Sequence, residues 1–431
     1  MKFSKLSQLF LVSSIGLLVA TVFTACAITT IDYVFVASSA GTGTSSDGQI
    51  ATYAADSQSG ALRSVKSAVS SGGVDPVAMT VTSDYENLYV ANAGSNSIVH
   101  FAIGIDGTLT AKDTLNMTGV MPVRMAVNTA GTYLYVISCA PSATFQCTGS
   151  AALTEYALSS GTIGTATASV ALNLSHVSSS YANDVLVPTG ITVLANSTDV
   201  TGNAVFVSAY DQSVYNPGGT TNCTSPCANP GWVFGFVIGS GGTLTASTSG
   251  NPAVTVSPWQ AGVKPTAIAS DPTDRFVYVT DYAQDQLIGY TILDGSVLSA
   301  LTNGPFKTGN EPSAIIVDPR AKFIYVTNLL DNTVSAYEIT LATGTPTSSV
   351  SATGSSVNST ETEPVALVMD PALGRFVYTA NYLANSISGF RADPTSGALS
   401  PTQATPYPTG EKPTAILSVP HGNYSTQSVT P

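Results

Sequence analysis

Phe276-Val-Tyr-Val-Thr-Asp-Tyr282, Phe323-Ile-Tyr-Val-Thr-Asn-Leu329 and Phe376-Val-Tyr-Thr-Ala-Asn-Tyr382 are three copies of one motif, spaced about fifty residues apart. Weaker copies stand at Tyr33-Val-Phe-Val-Ala37, Asn87-Leu-Tyr-Val-Ala-Asn92, Tyr133-Leu-Tyr-Val-Ile-Ser138 and Ala204-Val-Phe-Val-Ser-Ala-Tyr210. Seven runs of β-branched and aromatic residues at a long, regular period indicate a repeat architecture built from short strands.

The surroundings of each copy repeat too. A Pro-led apolar run precedes it, as in Pro265-Thr-Ala-Ile-Ala269, Pro312-Ser-Ala-Ile-Ile-Val317 and Pro364-Val-Ala-Leu-Val-Met369. Asp271-Pro272, Asp318-Pro319 or Asp370-Pro371 follows as a turn, the Asp side chain capping it and the Pro presetting φ. An alternating run comes next, such as Asn332-Thr-Val-Ser-Ala-Tyr-Glu-Ile339 or Asn385-Ser-Ile-Ser-Gly-Phe390. A Gly turn then opens a last strand at Gly60-Ala-Leu62, Gly107-Thr-Leu109, Gly242-Thr-Leu244 and Gly397-Ala-Leu399. Four short antiparallel strands per unit make an all-β propeller blade.

The copies also count the blades. Pro-led strands start at Pro76, Pro122, Pro188, Pro265, Pro312, Pro364 and Pro413, whereas the aromatic strands begin already at Tyr33. The first blade therefore lacks an inner strand, and Pro413–Val419 has no blade after it. The expectation is a seven-bladed β-propeller over 32–420 whose C-terminal strand completes the first blade and removes the free sheet edges.

The ends carry other signals. Lys2 and Lys5 precede an apolar run from Leu9 to Val22 that ends Phe23-Thr-Ala-Cys26. This resembles a bacterial lipoprotein signal over 1–25, with Cys26 lipidated and 26–31 a short tether; ordinary cleavage nearby, or a retained anchor, is the alternative. Residues 421–431 form a polar tail. Export to the bacterial cell envelope, with lipid anchoring in the outer membrane or periplasm, is expected, and secretion is the alternative. Loss of Lys2 and Lys5 leaves 12 basic and 26 acidic residues, a net charge of −14. No basic stripe exists to neutralise phosphates, so nucleic acid is excluded as a partner. The membrane is expected as a partner only through the lipid, and the chain is expected to be a monomer without a cofactor.

Beyond Cys26 four cysteines remain: Cys139, Cys147, Cys223 and Cys227. Each pair brackets a loop, which in an exported chain suggests two local disulfides. Zinc would need further Cys or His close by, and His100, His176 and His421 are not adjacent to Cys223-Thr-Ser-Pro-Cys227.

Three irregular segments, 139–150, 171–187 and 210–231, fall on the propeller face where the inner strands begin. Loops on a rigid scaffold commonly carry binding, although surface loops also tolerate insertion without function. The residue before each inner-strand proline belongs to the same face: Asp75, Met121, Val187, Lys264, Glu311, Glu363 and Lys412. As a ring the charged members suit a polar ligand; singly, each is an ordinary solvated turn residue. Arg124 lies three residues into its strand, only approximately in register with Ala267, Ala314 and Ala366, and is expected to reach the channel and pair with Glu311 or Glu363. Tyr210, Tyr215, Tyr282 and Tyr382 are candidate aromatic anchors, or blade-to-blade packing. His100 reads as structural. His176, near Asp184, is the candidate catalytic base beside Arg124.

These residues carry a family resemblance. The aromatic motif looks like the YVTN repeat of bacterial propellers. Asp393-Pro-Thr-Ser-Gly-Ala-Leu-Ser400, following Asn385–Phe390, resembles the blade ending of the seven-bladed lactonase family, which includes 6-phosphogluconolactonase-like and muconate-lactonizing members. The resemblance runs from Asp32 to Val419 and implies the fold. Enzymatic members tend to carry Pro-Arg-His at the inner strand and Glu after the aromatic strand. Here the slots read Pro122-Val-Arg124, Pro265-Thr-Ala267 and their like, without histidine, and Asn92, Asp281, Asn328 and Asn381 take the place of Glu. The reading that follows is an envelope propeller that binds a small molecule or a protein on its insert-bearing face. A lactonase acting on a sugar or other small lactone is the first alternative, and a structural surface protein the second.

Overall fold

The computed structural model describes residues 29–40, 47–144, 146–174, 177, 185–194, 203–212, 231–239, 242–247, 257–348 and 356–421. They form seven antiparallel sheets and, among the described residues, no helix. Inner strands pack against one another in a closed ring around a central channel. The first blade is completed as the count of prolines requires: Glu411–Pro420 pairs with Thr30–Ala40, with Tyr33 opposite Val419 and Ala37 opposite Ala415. The fourth strand is broken into two short pieces in five of the blades, for example Val297–Ala300 and Phe306–Lys307, both paired to Gln286–Leu293.

The motif residues explain the assembly. Tyr89, Tyr278, Tyr325 and Tyr378 are fully buried. Each donates its hydroxyl to a glycine carbonyl of the following blade, at Gly161 (2.6 Å), Gly344 (2.7 Å), Gly397 (3.1 Å) and Gly60 (2.8 Å). Gly344 has φ +71°, and a Cβ there would lie 2.3 Å from the ring of Phe276. The aromatic strand and the Gly turn are thus one interlocking contact, which only glycine permits. The Asp-Pro turns are capped as expected: Asp271 accepts from the Arg275 and Phe276 amides at 2.8 and 2.6 Å, and Asp318 from Lys322 and Phe323 at 2.7 and 3.0 Å.

The inner-strand prolines set the channel wall. Pro lacks an amide proton and cannot complete the ladder. The register slips by one residue directly after it, between Pro265 and Ala267, Pro312 and Ala314, and Pro364 and Ala366. The residue before the proline is left-handed at Asp75, Glu311, Glu363 and Lys412. In three of these an Asx side chain of the preceding blade binds its amide: Asp285 to Glu311, Asn332 to Glu363 and Asn385 to Lys412, each at 2.8 Å.

Candidate functional site

The bulges bring one residue from each inner strand into a common layer of the channel. Their partners on the second strands place Ala78, Arg124, Gly190, Ala267, Ala314, Ala366 and Ala415 in register. The approximate alignment expected from sequence is corrected: Arg124, opposite Ile137, stands in the alanine position itself, since every inner strand slips alike after its proline. Six small residues leave the neck open, and one long cation fills it.

Arg124 lines two cavities. Above it is a mouth cavity of about 420 Å³, on the face where the inner strands begin. Below it is an inner chamber of about 180 Å³. Its Nη1 donates to the carbonyls of Val77 at 3.1 Å and Val123 at 2.9 Å. The pairing with Glu311 or Glu363 expected from sequence is not formed: no ion pair among the described residues involves Arg124. The physical reason lies in the backbone. Thr266, Ser313 and Thr414 donate their hydroxyls to the proline carbonyl of the next blade. Blades two and three have Val77 and Val123 at that position, and Arg124 bridges their junction in the opposite sense by donating back to the Val77 carbonyl.

The mouth cavity collects part of the expected ring. Asp75, Met121, Val187 and Lys264 line it, together with Tyr210. Lys264 Nζ sits 4.1 Å from the Tyr282 ring centre and 6.0 Å from that of Tyr210. Such cation–π contacts hold an ammonium where water is scarce. Burial pushes the Lys264 pKa down, and the nearby Glu311 carboxylate opposes that shift. Glu311, Glu363 and Lys412 do not line this cavity. They sit in the same left-handed turn as Asp75.

The segment 139–150 is not the irregular loop expected. Tyr133–Pro141 and Cys147–Ser159 continue as a hairpin, and a Cys139–Cys147 disulfide clamps it. The slips at Ser138/Ala140 and Ala140/Pro141 absorb the extra residues. Cys147 and Gln146 of this hairpin, and Gln212 past the second strand of blade four, complete the mouth wall. Sequence reading missed both glutamines, which carry no motif. His100 is structural as expected, buried and held by Asp113 at 2.6 Å and Asn87 at 2.9 Å. Cys26, His176, Asp184, Tyr215, Cys223 and Cys227 lie outside the described residues.

The family model "Lactonase, 7-bladed beta-propeller" matches residues 46–146 and 241–424. The chain belongs to that family. The stretch between the two matched blocks holds the second half of blade three and nearly all of blade four. Among solved structures the chain is similar to a periplasmic gluconolactonase of Pseudomonas aeruginosa, at 18% identity and TM-score 0.67, over 90% of this chain and 99% of that one. It is also similar to a putative 6-phosphogluconolactonase of Bacteroides fragilis, at 15% identity and TM-score 0.65, over 91% and 99%. A hypothetical selenium-binding protein of Sulfolobus tokodaii shares the fold at 12% identity and TM-score 0.63, over 94% and 96%. At these identities the likeness is one of fold. No curated protein matches the chain.

Proposed function

We propose that the mouth cavity binds a small, polar, oxygen-rich ligand such as a sugar acid or its lactone. The observation that carries this reading is the convergence of Asp75, Arg124, Tyr210 and Lys264 on one cavity of about 420 Å³ in a chain with only 9% charged residues. Two cations favour a carboxylate or carbonyl oxygen, Asp75 accepts from hydroxyls, and the tyrosine ring offers a face to C–H groups. The similarity to a gluconolactonase supports the same ligand class.

Hydrolysis is the second reading, and family membership favours it. Arg124 or Lys264 would polarise the carbonyl oxygen of a lactone, and Asp75 would take a proton from water. The family's histidine slot is filled by other residues in every blade, so the expected behaviour is binding without strong turnover. Calorimetry with gluconate and a panel of sugar and aliphatic lactones, beside a turnover assay, tests both readings. Saturable binding weakened tenfold or more by Lys264→Ala supports the site. Robust turnover lost in Arg124→Ala or Asp75→Ala would replace binding with catalysis, and absence of binding across the panel would reject the ligand class.

The disulfide suits an oxidising compartment, and we place the protein in the cell envelope with a lipid on Cys26. Mass spectrometry of the protein from membranes checks this: an acylated N-terminal cysteine that disappears in Cys26→Ser is the expected result, and an unmodified soluble form is the contrary one.

A further inference from the structure

Below the neck, the inner chamber has a charge problem that the mouth does not. Arg124 is the single charged residue among those that line it. A guanidinium remains protonated at neutral pH even where burial lowers its pKa, as it does here. It is partly buried, and its Nε and Nη2 keep donors that no described residue uses.

The wall holds no carboxylate to pair with it, and no free hydroxyl proton to share an anion with it. Four hydroxyl residues line the chamber, yet each is committed to the protein: Thr266 to the Pro312 carbonyl at 2.7 Å, Ser313 to Pro364 at 2.6 Å, Thr414 to Pro76 at 2.5 Å and Thr189 to Ser208 at 3.0 Å. Val77 and Val123 give Arg124 two neutral carbonyls, and both are taken by Nη1. Nε and Nη2 have no further partner among the described residues. The rest of the wall is alanine, glycine and aliphatic side chains. A volume of about 180 Å³ has room for a small ion and a few waters, each water occupying about 30 Å³.

We infer that the inner chamber is a site for a small monovalent anion, held against the Nε and Nη2 edge of Arg124. The chemical class is a halide, nitrate or formate-sized carboxylate. Its source is either a free ion or the carboxylate of a molecule lodged in the mouth. We assign the free ion, because the chamber wall offers the hydroxyls of a sugar acid no free polar side chain beyond Arg124, its own hydroxyl protons being committed to the protein.

The full-length protein is assayed in a buffer whose only anion is a bulky sulfonate, at constant ionic strength. Chloride, nitrate, formate and gluconate are titrated separately while the melting temperature is followed. The small anions should raise it saturably, by about 3–5 °C at a hundredfold excess over Kd. Arg124→Met, apolar and of similar length, should abolish the response, whereas Lys264→Ala in the mouth should keep it. Crystals in bromide should show an anomalous peak beside the Arg124 guanidinium, a readout that does not depend on the variant folding. A flat response to all small anions, with water alone beside Arg124 in bromide, would overturn the site. A response to gluconate alone, lost in Lys264→Ala, would overturn the free-ion assignment and leave the mouth reading intact; failure to bind sugar acids with the halide response preserved would do the reverse.

Discussion

Blades five to seven and blades three and four are built from the same unit but use it differently. In the former the Asp cap, the Tyr-to-Gly hydrogen bond and the Asx-held turn recur nearly unchanged. In blade three several of the repeated contacts are altered. Asn128 replaces the capping Asp and accepts from the Thr132 and Tyr133 amides at 2.9 and 3.0 Å. The Tyr135 hydroxyl reaches no glycine carbonyl and lies beside Glu155, itself fully buried, with Oε1 accepting from Thr167 at 2.6 Å. Arg124 takes an alanine position, and a disulfide clamps the neighbouring hairpin. The family model skips much of the same region. Contacts repeated from blade to blade hold the ring together; of the departures, Arg124 and the disulfide's Cys147 line the mouth, whereas Asn128, Tyr135 and Glu155 do not.

The largest effect should come from opening the ring. Truncation before Glu411 removes the inner strand of blade one and exposes the edge of Thr30–Ala40. Loss of the folded monomer, seen as aggregation in gel filtration and loss of near-UV dichroism, is expected. A truncated protein with an unchanged melting temperature would mean that the blades do not depend on a common closure.

The disulfide separates the two regions more finely. Replacing Cys139 and Cys147 by Ser frees a loop of eight-residue separation, worth about 2–3 kcal/mol in the chain-entropy account. Hydrogen exchange should rise in the hairpin Tyr133–Ser159 and stay unchanged in Phe323–Asn328 of blade six. Equal loosening of both would show that the irregular half also carries the stability of the regular one.

Blade one contains a departure of another kind. Asp32 precedes its aromatic residue where blades five to seven have Arg275, Lys322 and Arg375. It is fully buried, with no hydrogen-bond partner for either oxygen. Burial first, and the Asp370 carboxylate second, hold its pKa well above the usual range. Tyr378 and Tyr85 stand close enough to feel its charge. The folded protein therefore keeps this proton while the unfolded chain releases it above about pH 4. Stability contributed at lower pH is lost as pH rises from there toward the folded pKa, by about 1.4 kcal/mol per pH unit. Asp32→Asn should be more stable than wild type at pH 7 and lose that advantage below pH 4 in urea titrations. A difference independent of pH would mean that Asp32 is ionised in the folded ring.

The regular half was legible in the sequence because each of its contacts has a local signature. Pro opens an inner strand, Asp-Pro marks the cap, and Gly-x-Leu marks the turn that receives the tyrosine. Counting prolines against aromatic runs even gave the closure. The mouth was only partly legible. Asp75, Lys264 and Tyr210 meet there, but Arg124 turned out to bond backbone carbonyls, which leave no trace in side-chain patterns. Its register was open to counting, because it stands two residues after its proline as Ala267, Ala314 and Ala366 do, and the slip is common to every inner strand. Glu311 and Glu363 share the left-handed turn of Asp75 but do not line the mouth cavity.

The smallest effect tests the comparison at a single atom. Tyr278→Phe removes a buried hydroxyl that donates to Gly344 at 2.7 Å and leaves that carbonyl unpaired in the next blade. A net cost of about 1–2 kcal/mol is expected. Tyr135→Phe removes the equivalent hydroxyl in blade three, where no carbonyl receives it and the buried Glu155 lies alongside. There the phenol oxygen loses little, so the cost should be near zero. Chemical denaturation of the two variants in parallel reads the difference directly. Equal costs would mean that Tyr135 and Glu155 form a bond as strong as the repeated one, and that blade three carries its own version of the interlock.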